Sequence, residues 1–418
     1  MKSITLKKIK ARLKKYFLQI GNIIFNVIDV IIPKSRNIWI FPVYFLGEGD
    51  FSDNILALFE AVKNEAVKNS QSAQKIILYR KKNIKIFEGN NIKLISIHSL
   101  KSIWYLLRAK VFIVQHSLTY ELMGCKFRPT IPRRRKIINL WHGIVVKDLS
   151  HPDIGIMNEL LEKELPYHYI ITSSEKNRVI MQKVFYPTPK ENFWLTGLPR
   201  NDFLKVIEND LPKVLKDELK IIKEIKGNKR LIIYTPTYRE VKVGGYYYQF
   251  KNKEIDKLKS YLSDNDYILG IRFHLYNSPD KLFDKIIDGQ LIVDVSAKVI
   301  SNMSVLIREA DIIITDYSSI YIDSMYLQKP LISFAYDYDH YMKKQHGMFY
   351  EFKIVFPGQI CHTFDDLMHA LVKYKNPLTT KEIEKYDKMS KLFFKYSDAN
   401  NTQRVLNRVN ELVFNDKK

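Results

Sequence analysis

From residue 37 onward, short apolar runs alternate with segments whose apolar residues recur every three or four positions. The first series of runs is Ile38 to Val43, Lys75 to Tyr79, Ile92 to Ile97, Val111 to Gln115, Ile137 to Trp141 and Tyr169 to Thr172. Amphipathic stretches such as Ile55 to Asn64 separate them. Short runs with little polar alternation suit strands buried on both faces, and the helical spacers suit crossovers between parallel neighbours. A second series repeats the rhythm: Leu231 to Tyr234, Tyr267 to Phe273, Leu291 to Asp294, Ile312 to Thr315 and Leu331 to Phe334. Phe203 to Lys229, between the two series, is charged with helical spacing and forms the natural joint. The pattern predicts an α/β protein of two Rossmann-like, doubly wound domains, residues 36–205 and 206–418, facing across a cleft. The last stretch, Thr379 to Phe414, is expected to be helical.

Residues 1–35 follow another pattern. Leu6, Ile9, Leu13, Phe17, Ile20, Ile24, Ile28 and Ile31 fall on one helical stripe. Lys2, Lys7, Lys8, Lys10, Arg12, Lys14 and Lys15 crowd the first half. This predicts an amphipathic helix on an anionic membrane surface, with a core helix bearing a basic face as the alternative. Asn22, Asn26 and Asp29 interrupt the apolar stretch, and Pro33-Lys34-Ser35 is a poor cleavage site, which argues against a secretory signal. No apolar run reaches about 18 residues, so no spanning helix is expected.

Composition then narrows the choices. A chain of 418 residues divides into two or three domains at about 150 residues each. Two cysteines exclude a disulfide framework and fit a reducing compartment. Lys and Arg number 67 against 45 Asp and Glu, a net charge of +22. Such a surplus points to an anionic partner: nucleic acid, an anionic membrane or a phosphorylated substrate. A composition rich in Lys, Ile and Asn accounts for part of it.

Candidate chemistry collects at strand ends, where open α/β sheets bind ligands. Trp141-His142-Gly143 places an imidazole at such an edge, beside a glycine that permits a sharp turn or a close approach. Gly197-Leu198-Pro199-Arg200-Asn201-Asp202 is a tight turn followed by polar side chains. Thr235-Pro236-Thr237-Tyr238-Arg239 offers two hydroxyls and a guanidinium to a phosphate. In Arg272-Phe273-His274, strand alternation would put Arg272 and His274 on one face. Asp316-Tyr317-Ser318-Ser319 leads into a helical run, with hydroxyls and free amides at its start. Each has a plainer explanation as well: a core histidine, a turn with an ion pair, a capped helix. Asp337-Tyr338-Asp339 invites a metal reading, yet no His/Cys cluster has zinc spacing. No Walker loop or Gly-x-Gly-x-x-Gly marks an ATP or NAD site.

In this order the motifs resemble the CDP-glycerol glycerophosphotransferases, which prime and polymerise teichoic acids and related capsule polymers. Gly47 with Ser52-Asp53-Asn54 upstream, Lys147 after Trp141-His142-Gly143, Leu327-Gln328-Lys329-Pro330 and Tyr336-Asp337 complete the match, over residues 40–375. The resemblance implies a GT-B-like architecture with the nucleotide donor in the C-terminal domain. It implies that His142 and His274 are catalytic, with His142 as the base. Thr237, Arg239, Arg272, Asp316, Ser318 and Ser319 would bind the donor. Asn54, Lys147, Arg200 and Asp202 would line the acceptor side of the cleft. No cofactor is implied, since CDP-glycerol is a substrate; the protein can supply the cationic role itself, and the metal requirement stays open. The partners implied are a nucleotide-activated polyol phosphate, a lipid-linked glycan acceptor and an anionic membrane surface. The location implied is peripheral, on the cytoplasmic face of the cell membrane.

The chain departs from the family in places. Ile144-Val145-Val146 stands where a small hydroxyl residue or Thr-Pro-Leu is common. His346-Gly347 replaces Arg-Gly, and Leu275 rather than Pro follows Arg-x-His. These departures leave the acceptor and the polyol open, and the length is closer to a primase-like member. A CDP-ribitol-using transferase and a nucleotide-sugar glycosyltransferase of the same architecture are the alternatives. A nucleic-acid-binding protein is the third. Arg133-Arg134-Arg135-Lys136 favours it, but no helix-turn-helix, RNP or zinc-finger pattern occurs, and no nucleic acid is expected.

Overall fold

The computed structural model describes residues 2–43, 51, 53–63, 73–80, 91–129, 134–146, 162–237, 239, 246–273, 285–345 and 348–414, with side chains of the first helix given from residue 16. The first series of runs forms β1 (Ser35–Pro42), β2 (Gln74–Tyr79), β3 (Ile92–Ser96), β4 (Ala109–Val114), β5 (Lys136–Asn139) and β6 (His168–Thr172), to which β7 (Phe193–Leu195) adds an edge. Their order is β3-β2-β1-β4-β5-β6-β7, with every pairing parallel. The second series forms β8 (Arg230–Tyr234), β9 (Tyr267–Ile271), β10 (Ile292–Asp294), β11 (Ala310–Thr315), β12 (Leu331–Phe334) and β13 (Gln359–Cys361). Their order is β10-β9-β8-β11-β12-β13, again all parallel. Both sheets are doubly wound, and strand order reverses between β1 and β4 and between β8 and β11. Those reversals open crevices at the carboxyl ends of the strands.

The apolar runs are continuous because the strands are covered on both faces. Val111 to Val114, Leu231 to Ile233 and Ile312 to Ile314 are all buried. Each such side chain contributes about 1.5–3 kcal/mol on burial. The joint consists of the helices Asp202–Lys205 and Lys213–Lys226; the latter buries Leu215, Leu219 and Ile222.

The chain end does not stay with the second sheet. Helix Asn401–Phe414 crosses back and packs on α2 (Asp53–Lys63). The Asp202 carboxylate accepts from the backbone N–H groups of Asn401 and Thr402 at 3.0 and 2.7 Å, and so caps that helix. Gly197 has φ +80°, and a Cβ there would strike the Asn401 side chain. The glycine of the Gly-x-Pro turn is thus required by the docking of this helix. A boundary at residue 205 separates the sheets but not the helices.

Over residues 16–31 the first helix, α1 (Lys2–Ile31), turns Asn22, Asn26 and Asp29 toward the rest of the protein. Asp29 is buried, and both its oxygens are held by Arg135, at 2.6 and 2.5 Å, with Lys34 at 2.9 Å. Asn22 accepts from the Arg128 backbone N–H, and Asn26 donates to the Arg128 carbonyl. Phe25 stacks on Phe127. Meanwhile Phe17, Ile20, Ile23, Ile24, Val27, Ile28 and Ile31 are exposed. The residues that interrupt the apolar stretch are therefore the ones that fasten the helix. Part of the basic run at 133–136 is internal: Arg135 is buried against Asp29, and Lys136 donates to the Tyr169 hydroxyl.

Candidate active site

His142 projects from the turn after β5 and is exposed in the cleft. Its backbone is held from three directions. The buried Asn139 accepts from the Trp141 N–H at 2.9 Å. The buried Asn54, at the start of α2, donates to the carbonyls of both Leu140 and Trp141 at 2.9 Å. Arg200 donates to the His142 carbonyl. Trp141 is left-handed, with φ 44°, a conformation that a bulky residue keeps only when its surroundings impose it. Asn54 also accepts from the Arg200 N–H at 3.0 Å, so one amide aligns the His142 turn with the Gly-x-Pro-Arg turn. The imidazole lies against Trp141, with centroids 4.1 Å apart, and stacks on His116 at 5.0 Å.

Across the cleft stand the turns after β8 and β11, the pair of strands at which the second sheet reverses order. Ser318 and Ser319 are partly exposed there, ahead of the helix Ile320–Met325. At six residues that helix has a small dipole, so the hydroxyls and turn amides are the donors that matter. The halves touch: a Cβ on Gly143 would lie 3.2 Å from Arg200 Nη2 and 3.6 Å from Ser319 Oγ. Arg200 bridges them, donating to Asp323 Oδ2 of the helix Ile320–Met325 at 2.6 Å.

A buried ionic hub lies beneath the second pair of turns. Asp316 accepts from the Thr237 N–H at 2.9 Å, from the Thr237 hydroxyl and from the Tyr317 N–H at 2.6 Å. Arg239 pairs with Asp316 at 2.8 Å and with Asp337 at 2.7 and 3.0 Å. Its guanidinium sits 5.3, 5.6 and 5.0 Å from the ring centroids of Tyr317, Tyr336 and Tyr341. Burial opposes its charge, but Asp316, Tyr336 and Asp337 hold its pKa above the usual arginine value. Asp339, by contrast, is exposed, so Asp337 and Asp339 do not converge. Among the described residues no three His, Cys, Asp or Glu side chains form a metal site.

A family model described as CDP-Glycerol:Poly(glycerophosphate) glycerophosphotransferase matches residues 24–411. The chain belongs to this family. It is 26% identical over 385 residues to the teichoic acid poly(glycerol phosphate) polymerase of Bacillus spizizenii, covering 88% of this chain and 91% of that one. Identity to the teichoic acid glycerol-phosphate primase of Bacillus subtilis is 25% over 335 residues, or 76% of this chain and 77% of the primase. The ribitol-phosphate polymerase TarK of Staphylococcus aureus is 27% identical over 300 residues, or 70% of this chain and 54% of TarK. The wall teichoic acid polymerase TagF shares the fold, with a TM-score of 0.73 at 20% identity over 99% of both chains. A Staphylococcus aureus MnaA–UDP complex superposes with a TM-score of 0.52 at 12% identity, over 91% of this chain and 98% of that one.

In this glycerophosphotransferase the cleft brings together His142, Thr237, Arg272, Ser318 and Ser319, with Arg200 alongside. Arg272 spends three bonds on the carbonyls of Val295, Ile300 and Ser301; burial lowers its pKa to about 10, against the pull of Asp53, Glu218 and Asp294. Other residues take different places. Arg239 and Asp316 lie under the cleft floor, fully buried and paired with each other rather than open to a donor phosphate. Asn54 is buried as a backbone clamp, and Asp202 caps the last helix. His274 and Lys147 lie outside the described residues, as do Gly47, Ser52, Tyr238, Leu275, His346 and Gly347. Sequence reasoning missed His116, whose Nδ1 lies 3.3 Å from the buried Glu121 carboxylate. The signal was available: His116 follows the β4 run as His142 follows β5.

Proposed function

We propose that this glycerophosphotransferase carries a glycerol phosphate unit from CDP-glycerol to a hydroxyl of a growing teichoic acid-type polymer, with His142 as the base. The observation that carries the reading is the exposed His142 imidazole facing the Ser318–Ser319 turn across a cleft at a strand-order reversal. The acceptor oxygen gives its proton to an imidazole nitrogen as its bond to the glycerol-side phosphorus forms. The bond from that phosphorus to the bridging oxygen breaks, and CMP leaves with the electron pair. Charge gathering on that bridge and on the phosphoryl oxygens meets the two serine hydroxyls, the turn amides and Arg272. The test is mass spectrometry of products formed from CDP-glycerol and a lipid-linked disaccharide. CMP release with one or more added glycerol phosphate units is expected. Transfer only from CDP-ribitol or from a nucleotide sugar would replace the reading.

The same enzyme is proposed to work on a membrane surface through α1. Among the described residues no helix is long and apolar enough to cross a bilayer. The outward face of α1 instead exposes Phe17, Ile20, Ile24, Ile28 and Ile31 together, the pattern of a helix lying in an interface. Seven Lys and Arg in the first 15 residues would add about 1 kcal/mol each near an anionic leaflet. Removing α1 would leave Arg135 and Lys34 without Asp29, so the informative variant keeps the clasp. Phe17→Ser with Ile24→Ser and Ile31→Ser should abolish pelleting with anionic vesicles while preserving turnover of a soluble acceptor. Unchanged pelleting would move the contact to another surface.

A further inference from the structure

The cleft is divided. Two cavities of about 270 Å³ each meet at a shared wall that includes His142, Arg272, Ser318 and Ser319. Their other walls differ in chemistry. The first is closed by Thr235, Pro236 and Thr237 and by the backbone turn Gly143 to Val146, all neutral. The second is closed by Asp53, Arg200, Asn201, Ser304 and Asp323.

The charge of the second cavity argues about its occupant. Asp323 is 7% exposed, and its Oδ2 takes the Arg200 bond. Its other oxygen, Oδ1, is buried with no hydrogen-bond partner among the described residues. Burial raises the Asp323 pKa and Asp53 adds to it, while Arg200 and the neighbouring Asn201 side chain oppose this. Asp53 lies 3.8 Å from the same guanidinium. With Arg272 on the shared wall, two carboxylates balance two guanidiniums here, whereas the first cavity has Arg272 and no carboxylate, so a diphosphate favours the first. The second suits hydroxyl groups, since a carboxylate accepts up to about four hydrogen bonds and donates none. Among the described residues Asn201 is the one amide near this carboxylate, which leaves Asp323 capacity for a further O–H donor from the cavity.

We propose that the second cavity is the acceptor subsite and that it takes an uncharged polyhydroxyl terminus. Asp323 Oδ1 and Asp53 accept hydrogen bonds from its non-reacting hydroxyls. Its reacting hydroxyl lies at the shared wall, where His142 takes the proton and the donor phosphorus arrives from the first cavity. This rests on the glycerophosphotransferase reading above and adds which side the acceptor enters and what recognises it. A terminal glycerol and a terminal sugar present the same chemistry, so both are tested.

The experiment uses the full chain with CDP-glycerol and two acceptors, a lipid-linked disaccharide with and without one glycerol phosphate. Three variants are compared. Asp53→Asn and Asp323→Asn weaken the acceptors, and Ser304→Leu fills the cavity without touching the Arg200–Asp323 pair. Each should raise the KM of whichever acceptor the wild type uses by about tenfold or more, the scale of one lost charge-assisted hydrogen bond. The Kd for CDP-glycerol by calorimetry should stay within about twofold, since the donor sits in the other cavity. The acceptor that shows the rise identifies the terminus. Unchanged acceptor KM in Ser304→Leu and Asp53→Asn overturns the subsite, and so does a parallel weakening of CDP-glycerol. A wild type that fails to bind CDP-glycerol removes the underlying reading and this inference with it; intact donor binding with unchanged KM removes this inference alone.

Discussion

The turn that carries His142 is held mainly by neutral amides, with Arg200 on the His142 carbonyl, whereas the turns that face it are held by a buried ionic hub. On the first side Asn54 and Asn139 pin two carbonyls and two N–H groups with no net charge. An amide both donates and accepts, so it can lock a left-handed Trp141 without adding a charge of its own beside the imidazole. On the second side Asp316 gathers three donors from the ends of β8 and β11, and Arg239 and Asp337 neutralise part of its charge. Buried ions bind their partners rigidly, because losing one leaves the other uncompensated. That hub holds two carboxylates against one guanidinium. It orders the turns that line the cleft, and in the proposed reaction Arg272, the serine hydroxyls and the turn amides would meet the phosphate.

The comparison can be broken most forcefully at Arg239. Arg239→Met strands two buried carboxylates and should cost about 3–5 kcal/mol in urea unfolding. Stability near that of the wild type would mean that the hub is not held by charge. His142→Ala should leave the unfolding midpoint and the CDP-glycerol Kd nearly unchanged while kcat falls about 10²–10⁴-fold. Near-normal turnover would make His142 structural and turn attention to His274. Asn54→Ala should cost about 1–3 kcal/mol, because two carbonyls and the Arg200 N–H lose a buried partner. It should also depress kcat more than donor affinity, and equal effects on both would mean that Asn54 supports the fold rather than the His142 turn. Thr237→Val is the mildest probe: it removes one hydroxyl bond to Asp316 and keeps the backbone bonds, for roughly 1.5 kcal/mol. A loss as large as that at Arg239 would place the weight of the hub on Thr237.

Several parts of this site were readable along the chain. His142, Ser318 and Ser319 follow apolar runs, and in a parallel sheet the residues after a strand's carboxyl end face the ligand crevice. Arg239 was expected at a phosphate because a guanidinium after a Thr-Pro-Thr turn suits one; in the structure it pairs with Asp316 and Asp337. Its direction was chosen by Asp316 and Asp337, which chain proximity does not reveal. Asn54 and Asp202 were singled out for the right neighbourhood, but as clamps they act on backbone groups 86 and 199 residues away. His116 was passed over, although it shares the strand-end position that made His142 a candidate.

By itself the sequence determined the two parallel sheets, the strand-end position of the candidate residues and the family. These depend on periodicity and on short motifs, which are local properties. Only the tertiary structure decided which way α1 faces, which charged residues are buried and where the cleft divides. A periodic stripe names a helix's apolar side without naming what it meets. Here Asp29, caught between Arg135 and Lys34, drew the polar side inward. Likewise an ionisable side chain can serve a ligand or a buried partner. Which one it serves depends on whether an opposite charge is brought within about 3 Å, where low dielectric makes that pairing decisive.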